Sequence, residues 1–209
     1  MAAVSDVDIC NQALTNLGVD SAISSLTDDS SNARACNRLF ARLRDQLLRQ
    51  HAWNFAINRA TLTALSATVG YEYAFSYQLP TSPKCIRVLE LREERDEKLG
   101  PGYAYQIESL VDGANTYNVL STDANTARIK YIKEVTDPTQ FDTLFVQALV
   151  DLLTARLSMP ITQSRSTAEA WAAQAVRSLE DAKEANVLEG FEPRTRKMDD
   201  VGSWVAFRI

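Results

Sequence analysis

LLRQHAWNFAINRATL, residues 47–62, joins two different local patterns with no glycine or proline between them. Upstream, Ala33, Cys36, Phe40, Leu43 and Leu47 recur three or four positions apart. Arg38, Arg42, Arg44, Asp45 and Arg49 lie largely outside that stripe, so the spacing predicts an amphipathic helix from about Asn32 to His51. Downstream, Phe55, Ile57 and Arg59 alternate with smaller polar neighbours, the period of a strand. A long charged helix is therefore welded to a strand through the aromatic corner His51-Ala52-Trp53-Asn54-Phe55.

The same two periods organise the rest of the chain. SDVDICNQALTNLG (5–18) predicts a first helix, with Ser5 and Asp8 at capping-box spacing and Gly18 as its left-handed stop. After the corner, YEYAFSYQLP, KCIRVLEL, YAYQIES, TYNVLS and ARIKYIKEV read as short strands. Turns fall at Gly100-Pro101-Gly102, Asp112-Gly113 and Asp123-Ala124-Asn125. Helix returns in DPTQFDTLFVQALVDLLTARLSMP, with Pro138 in its first turn and Met159-Pro160 as its stop. A fourth, alanine-rich helix follows, capped by Ser166 with Glu169 three residues on, and ended by Gly190.

The order helix, helix, sheet, helix, helix predicts an α+β, mainly α fold. In this reading an antiparallel four-helix bundle carries an inserted small antiparallel β-sheet or barrel, and an extended arm ends the chain. The expected domains are a helical bundle from residues 1–52 and 138–190, an inserted β domain at 53–137, and a C-terminal arm at 191–209. In that arm Trp204, Val205, Phe207 and Ile209, with Arg208 among them, follow a charged link and have no evident place in the core. They are candidates for docking on a neighbouring subunit, as an added strand or by inserting Trp204 and Phe207 into pockets.

Composition narrows the function classes. The formal net charge of -5 argues against tight nucleic-acid binding, which needs a basic footprint to release counterions. Three widely separated cysteines and a single histidine leave no zinc-like spacing, so no metal or other cofactor is expected, and the thiols read as reduced. MAAVSDVDIC lacks the basic and apolar regions of a signal peptide. TLFVQALVDLLTARL, broken by Gln147 and Asp151, reads as a core helix and no membrane partner is expected.

No GxSxG, GxGxxG or GxxxxGK[ST] pattern occurs. His51 at a helix end reads as structural, and the 27 acidic residues single out no catalytic pair. No catalytic residue is assigned, and the chain reads as a non-enzyme. Arg38, Arg42, Arg44 and Arg49 are expected to pair with carboxylates on adjacent helices or subunits.

Three stretches carry a resemblance: ICNQALTNLGVDSAISSLTDDS, ARACNRLFARLRDQLLRQHAWNFAINRATL and YQLPTSPKCIRVLEL. Over about residues 5–92, and more loosely in the late helices and the closing SWVAFRI, the chain resembles the head-to-tail adaptors of short-tailed phages. That family is known as tail tubular protein A or tail accessory factor. The resemblance implies a structural protein of the virion neck, made in the host cytoplasm and assembled as a homo-oligomeric ring of about twelve copies. Such a ring binds the portal protein on one side and the tail nozzle protein on the other. DNA passes through its channel without specific binding. Trp53 and Phe55 would then wedge the helices against the sheet, fixing the angle between parts that meet different partners. The alternatives are another neck or tail completion protein, a tail-associated peptidoglycan hydrolase, or a soluble binding protein of host origin.

Overall fold

A computed structural model describes residues 4–67, 72–93 and 103–189. Four helices span Asp6–Asn16 (α1), Ser31–Gln50 (α2), Thr143–Thr162 (α3) and Arg165–Leu188 (α4). Six strands span Ile57–Thr61 (β1), Phe75–Gln78 (β2), Cys85–Arg92 (β3), Gln106–Asp112 (β4), Asn115–Thr122 (β5) and Arg128–Lys133 (β6). They form two antiparallel sheets with strand orders β1-β6-β3 and β2-β5-β4.

Local chemistry explains the element ends. The Ser5 hydroxyl accepts the Asp8 N–H at 3.1 Å and the Asp8 carboxylate accepts the Ser5 N–H at 3.0 Å, a complete capping box. Gly18 has φ 76° just past α1, where a side chain would be strained. Gly113, at φ 60°, occupies the first central position of the two-residue loop joining β4 to β5, as a type II′ turn requires. Three expected boundaries move. Pro138 opens a separate 3-10 turn, Pro138–Gln140, while Asp142 caps α3 through the Leu144 and Phe145 N–H groups. Pro160 lies inside α3, in its last turn, with two helical residues after it; Gln163, at φ 53°, closes the helix on the Met159 carbonyl. Ser164, not Ser166, caps α4 by accepting the Thr167 N–H at 3.3 Å.

The expected four-helix bundle with an inserted sheet is not what forms. The described residues are about 47% helix and 24% strand, a mixed α/β fold with two sheets. A bundle closes its core with four apolar helix faces. Here α4 packs along α3 and gives the main core only Ala182 as a fully buried side chain. That core is closed instead by Ile132 and Val135 at the end of β6, with Ile57, Ile86 and Leu89 packed against it. On β6 the side chains alternate: Ile129 and Tyr131 face a second core shared with Tyr77 and Leu120 of the other sheet, while Ile132 joins the helical core. The β1-β6-β3 sheet is therefore apolar on both faces, between helices and the second sheet. The alanine stripe of α4 is too shallow to replace it.

The most apolar helix, α3, is the one described helix long and apolar enough to cross a membrane by length and composition. Here it is the central core element, with Phe145, Leu149, Leu153 and Leu157 buried beside Asp151. The Gln147 amide donates to Asp151 Oδ1 at 2.9 Å. The proposed C-terminal arm, Trp204, Val205, Phe207, Arg208 and Ile209, lies outside the described residues.

Candidate assembly surfaces

The corner at 51–56 ends α2 without glycine because side chains take over the capping. Trp53 is fully buried and its indole N–H donates to the Leu47 carbonyl at 2.9 Å, satisfying one of the orphan acceptors of the last turn. His51 then turns the backbone extended, and a 3-10 turn at Asn54–Ala56 leads into β1. Trp53 meets Phe145 at 5.0 Å between ring centroids, edge to face, and Phe55 meets Phe145 at 5.1 Å. Both rings thus bear on the start of α3, with Phe141 completing the cluster.

A residue that the helical spacing did not single out locks this corner. Asn186, near the end of α4, accepts the Asn54 N–H at 2.9 Å and donates to the Ala52 carbonyl at 3.2 Å and to His51 Nε2 at 3.0 Å. The Asn54 side-chain amide returns a bond to the Asn186 carbonyl at 2.9 Å. The signal available in sequence was an asparagine in register with Ala175, Ser178 and Ala182 on one face of the helix.

Of the four arginines expected to pair with carboxylates on adjacent helices or subunits, Arg44 alone has an ion pair among the described residues, and neither partner lies on another helix. Arg44 is buried, and bonds Asp45 at 2.9 Å and Glu134 at 3.0 Å. Arg38 and Arg49 donate instead to the carbonyls of Arg34 and Ile86. Nearby, burial pushes the Asp6 carboxyl up, with Arg44 opposing and Asp137 adding to the shift. Burial also pushes the Cys85 thiol up to about 11, against the opposing charge of Arg49. Cys10 is raised by its hydrogen bond to Cys36 and by burial between α1 and α2. A thiol held protonated in this way is a poor nucleophile and a poor metal ligand.

Two hollows flank α2. The first is an apolar trough of about 680 Å³ between α2, α3 and α4, lined by Leu152, Ala155, Met159, Ala168, Ala172 and Val176 among others. Met159 is 50% exposed and Val176 62%, and further along α4 Val187 and Leu188 also stand in solvent. The second, of about 880 Å³, lies between α2 and the two sheets. Among the described residues each has a single carboxylate in its lining, Glu169 in the trough and Asp45 in the other. Neither a protein-family model nor a curated protein matches this sequence.

Proposed function

We propose that this chain is a structural subunit of a virion head-to-tail adaptor ring, joining the portal protein to the tail nozzle protein and leaving a channel for the genome. The observation that carries the reading is α4. It covers α3 with small residues, borders an apolar trough, and leaves Val176, Val187 and Leu188 exposed. Apolar surface arranged along one helix and an adjoining trough is suited to protein contact. The hollows favour assembly over hydrolysis, because among the described residues neither offers the two facing carboxylates that glycoside cleavage uses. In this reading Trp204, Val205, Phe207, Arg208 and Ile209 dock on a neighbouring subunit. The net charge of -5 suits a channel that does not hold DNA.

The test is the mass of the purified chain by light scattering, alone and after mixing with the portal ring encoded in the same genome. A 23.2 kDa chain that joins the portal in about twelve copies supports the reading. A chain that ignores the portal overturns it. Truncation at Phe191 then asks whether the arm is needed for neighbouring copies to associate.

A further inference from the structure

The second hollow is lined by four cations and, among the described residues, one carboxylate. Arg42 and Arg49 reach it from α2, and Lys84 and Arg87 from the start of β3 and the turn before it. None of the four has a carboxylate partner among the described residues. Elsewhere Arg34, Arg44, Arg92, Arg165 and Lys183 pair at 2.6–3.0 Å, while Arg38 and Arg177 bond neutral acceptors. What sets the groove apart is that four such cations line it against one carboxylate among the described residues. The one carboxylate in the groove wall, Asp45, is already engaged by Arg44. In a chain of net charge -5, four unmatched cations around one groove make a local positive field that the overall charge does not suggest.

The backbone holds two of these cations in place. The β3–β6 register skips Ile86 between the pairs Cys85↔Lys133 and Arg87↔Ile132, a bulge that re-aims the strand. The Ile86 carbonyl accepts Arg49 Nη1 at 2.7 Å, which anchors that side chain at the groove. Arg87 follows directly, and its Nε is buried with no hydrogen-bond partner. A buried guanidinium N–H without an acceptor costs free energy, and a carboxylate on the same guanidinium would offset part of that cost. Leu79, Val88 and Ile107 add apolar lining, and Tyr105 and Tyr117 add phenol rings.

We propose that this groove, between α2 and the edge of β3, binds an extended acidic segment of a partner protein. Carboxylates of the segment meet Arg42, Lys84 and Arg87. The mixed lining suits polypeptide, and four cations on an acidic chain would hold duplex DNA only weakly and with steep salt loss. A second copy of this chain is a poor occupant. Two of its acidic stretches carry cations within or just before them, Glu93-Glu94-Arg95-Asp96-Glu97-Lys98 and Asp199-Asp200 after Arg194, Arg196 and Lys197. In the cation-free N-terminal stretch Asp8, Asp28 and Asp29 are already bonded to Ser5, to Ser24 and Ser25, and to Arg34. The inference rests on the adaptor reading only in taking the partner for another protein of the particle.

The experiment measures fluorescence anisotropy of a labelled oligo-glutamate peptide titrated with the full chain. The expected result is saturable binding that weakens with salt and falls about tenfold in Arg42→Gln/Lys84→Gln/Arg87→Gln. Arg87 is partly buried, so Arg42→Gln/Lys84→Gln, with both changes at exposed positions, is measured beside it; about threefold weaker binding is expected. Absence of binding, or equal binding by both variants, overturns the proposal. So does displacement of the peptide by duplex DNA at lower concentration. Oligomers of the chain alone that dissolve in the double variant would assign the groove to a second copy, which also overturns it. The portal mixing experiment is read separately. Peptide binding by a chain that ignores the portal removes the adaptor reading and leaves the groove, while portal joining without peptide binding does the reverse.

Discussion

Asn186 and Asn54 bond to each other twice, side-chain oxygen to backbone N–H and side-chain amide to backbone carbonyl, each at 2.9 Å. The pair joins residues 132 positions apart and pins the end of α4 to the turn between α2 and β1. Removing Asn186 leaves the Asn54 N–H and the Ala52 carbonyl without their partners in a half-buried site. Asn186→Ala is expected to cost about 2–4 kcal/mol in urea denaturation, and to speed hydrogen exchange at the Asn54 amide. An unchanged midpoint would show that α4 is held by its alanine contacts alone.

Trp53 both fills the core and caps α2. Trp53→Ala is expected to lower stability by about 3–5 kcal/mol, the range for truncating a buried aromatic. Trp53→Phe keeps most of the packing but leaves the Leu47 carbonyl without its donor, for about 1–2 kcal/mol. Equal losses in the two variants would mean that the indole N–H contributes little.

His51 is the single histidine in the sequence. Burial holds its imidazole below the ordinary value of 6.5, with the charges of Lys183 and Arg87 acting in the same direction and Glu180 against it. Its Nε2 accepts the Asn186 amide, which the protonated ring could not do. The folded pKa is thus lower than the unfolded one, and the unfolded chain takes the proton first. The stability this contributes is present above about pH 6.5 and is lost as pH falls through the folded pKa. Denaturation midpoints at successive pH values below 7.5 are expected to decline in the native chain, with a shallower decline in His51→Gln. Parallel curves would exclude His51 as the source.

Arg44 is buried against partners that are themselves partly exposed, Asp45 at 36% and Glu134 at 26% of side-chain area. Solvent screening reduces the cost of breaking such a pair below that of a fully buried one. Arg44→Ala is expected to lose about 1–3 kcal/mol, and Arg44→Met less, because the methionine stem retains the packing. The Asp6 carboxyl should titrate higher in both variants, since the charge that opposes its burial is gone. An NMR titration that leaves Asp6 unmoved would contradict that coupling.

Exposed apolar residues on α4 should matter to assembly and not to folding. Val176→Asp with Leu188→Asp is expected to melt within about 0.5 kcal/mol of the native chain and to join the portal less well. Portal joining at native level would move the contact surface away from α4.

Element identity was legible in the residues because hydrophobic period and caps act locally. Ser5-x-x-Asp8 sets the start of α1, the three-and-four spacing of Phe40, Leu43 and Leu47 sets the buried face of α2, and Asp112-Gly113 sets the β4–β5 turn. The aromatic corner was also readable as a corner, although not as a cap. What faces what was decided by long-range packing. Whether Ile132 meets helices or a second sheet depends on partners far away in sequence, and helical spacing alone does not reveal that α4 gives the main core only Ala182 as a fully buried side chain. Asn186 with Asn54, Arg44 with Glu134 and the cations around the β3 bulge belong to the same class. Each brings together residues that no local period relates, so the four-helix bundle expected from the periods gave way to a helical layer closed by a sheet.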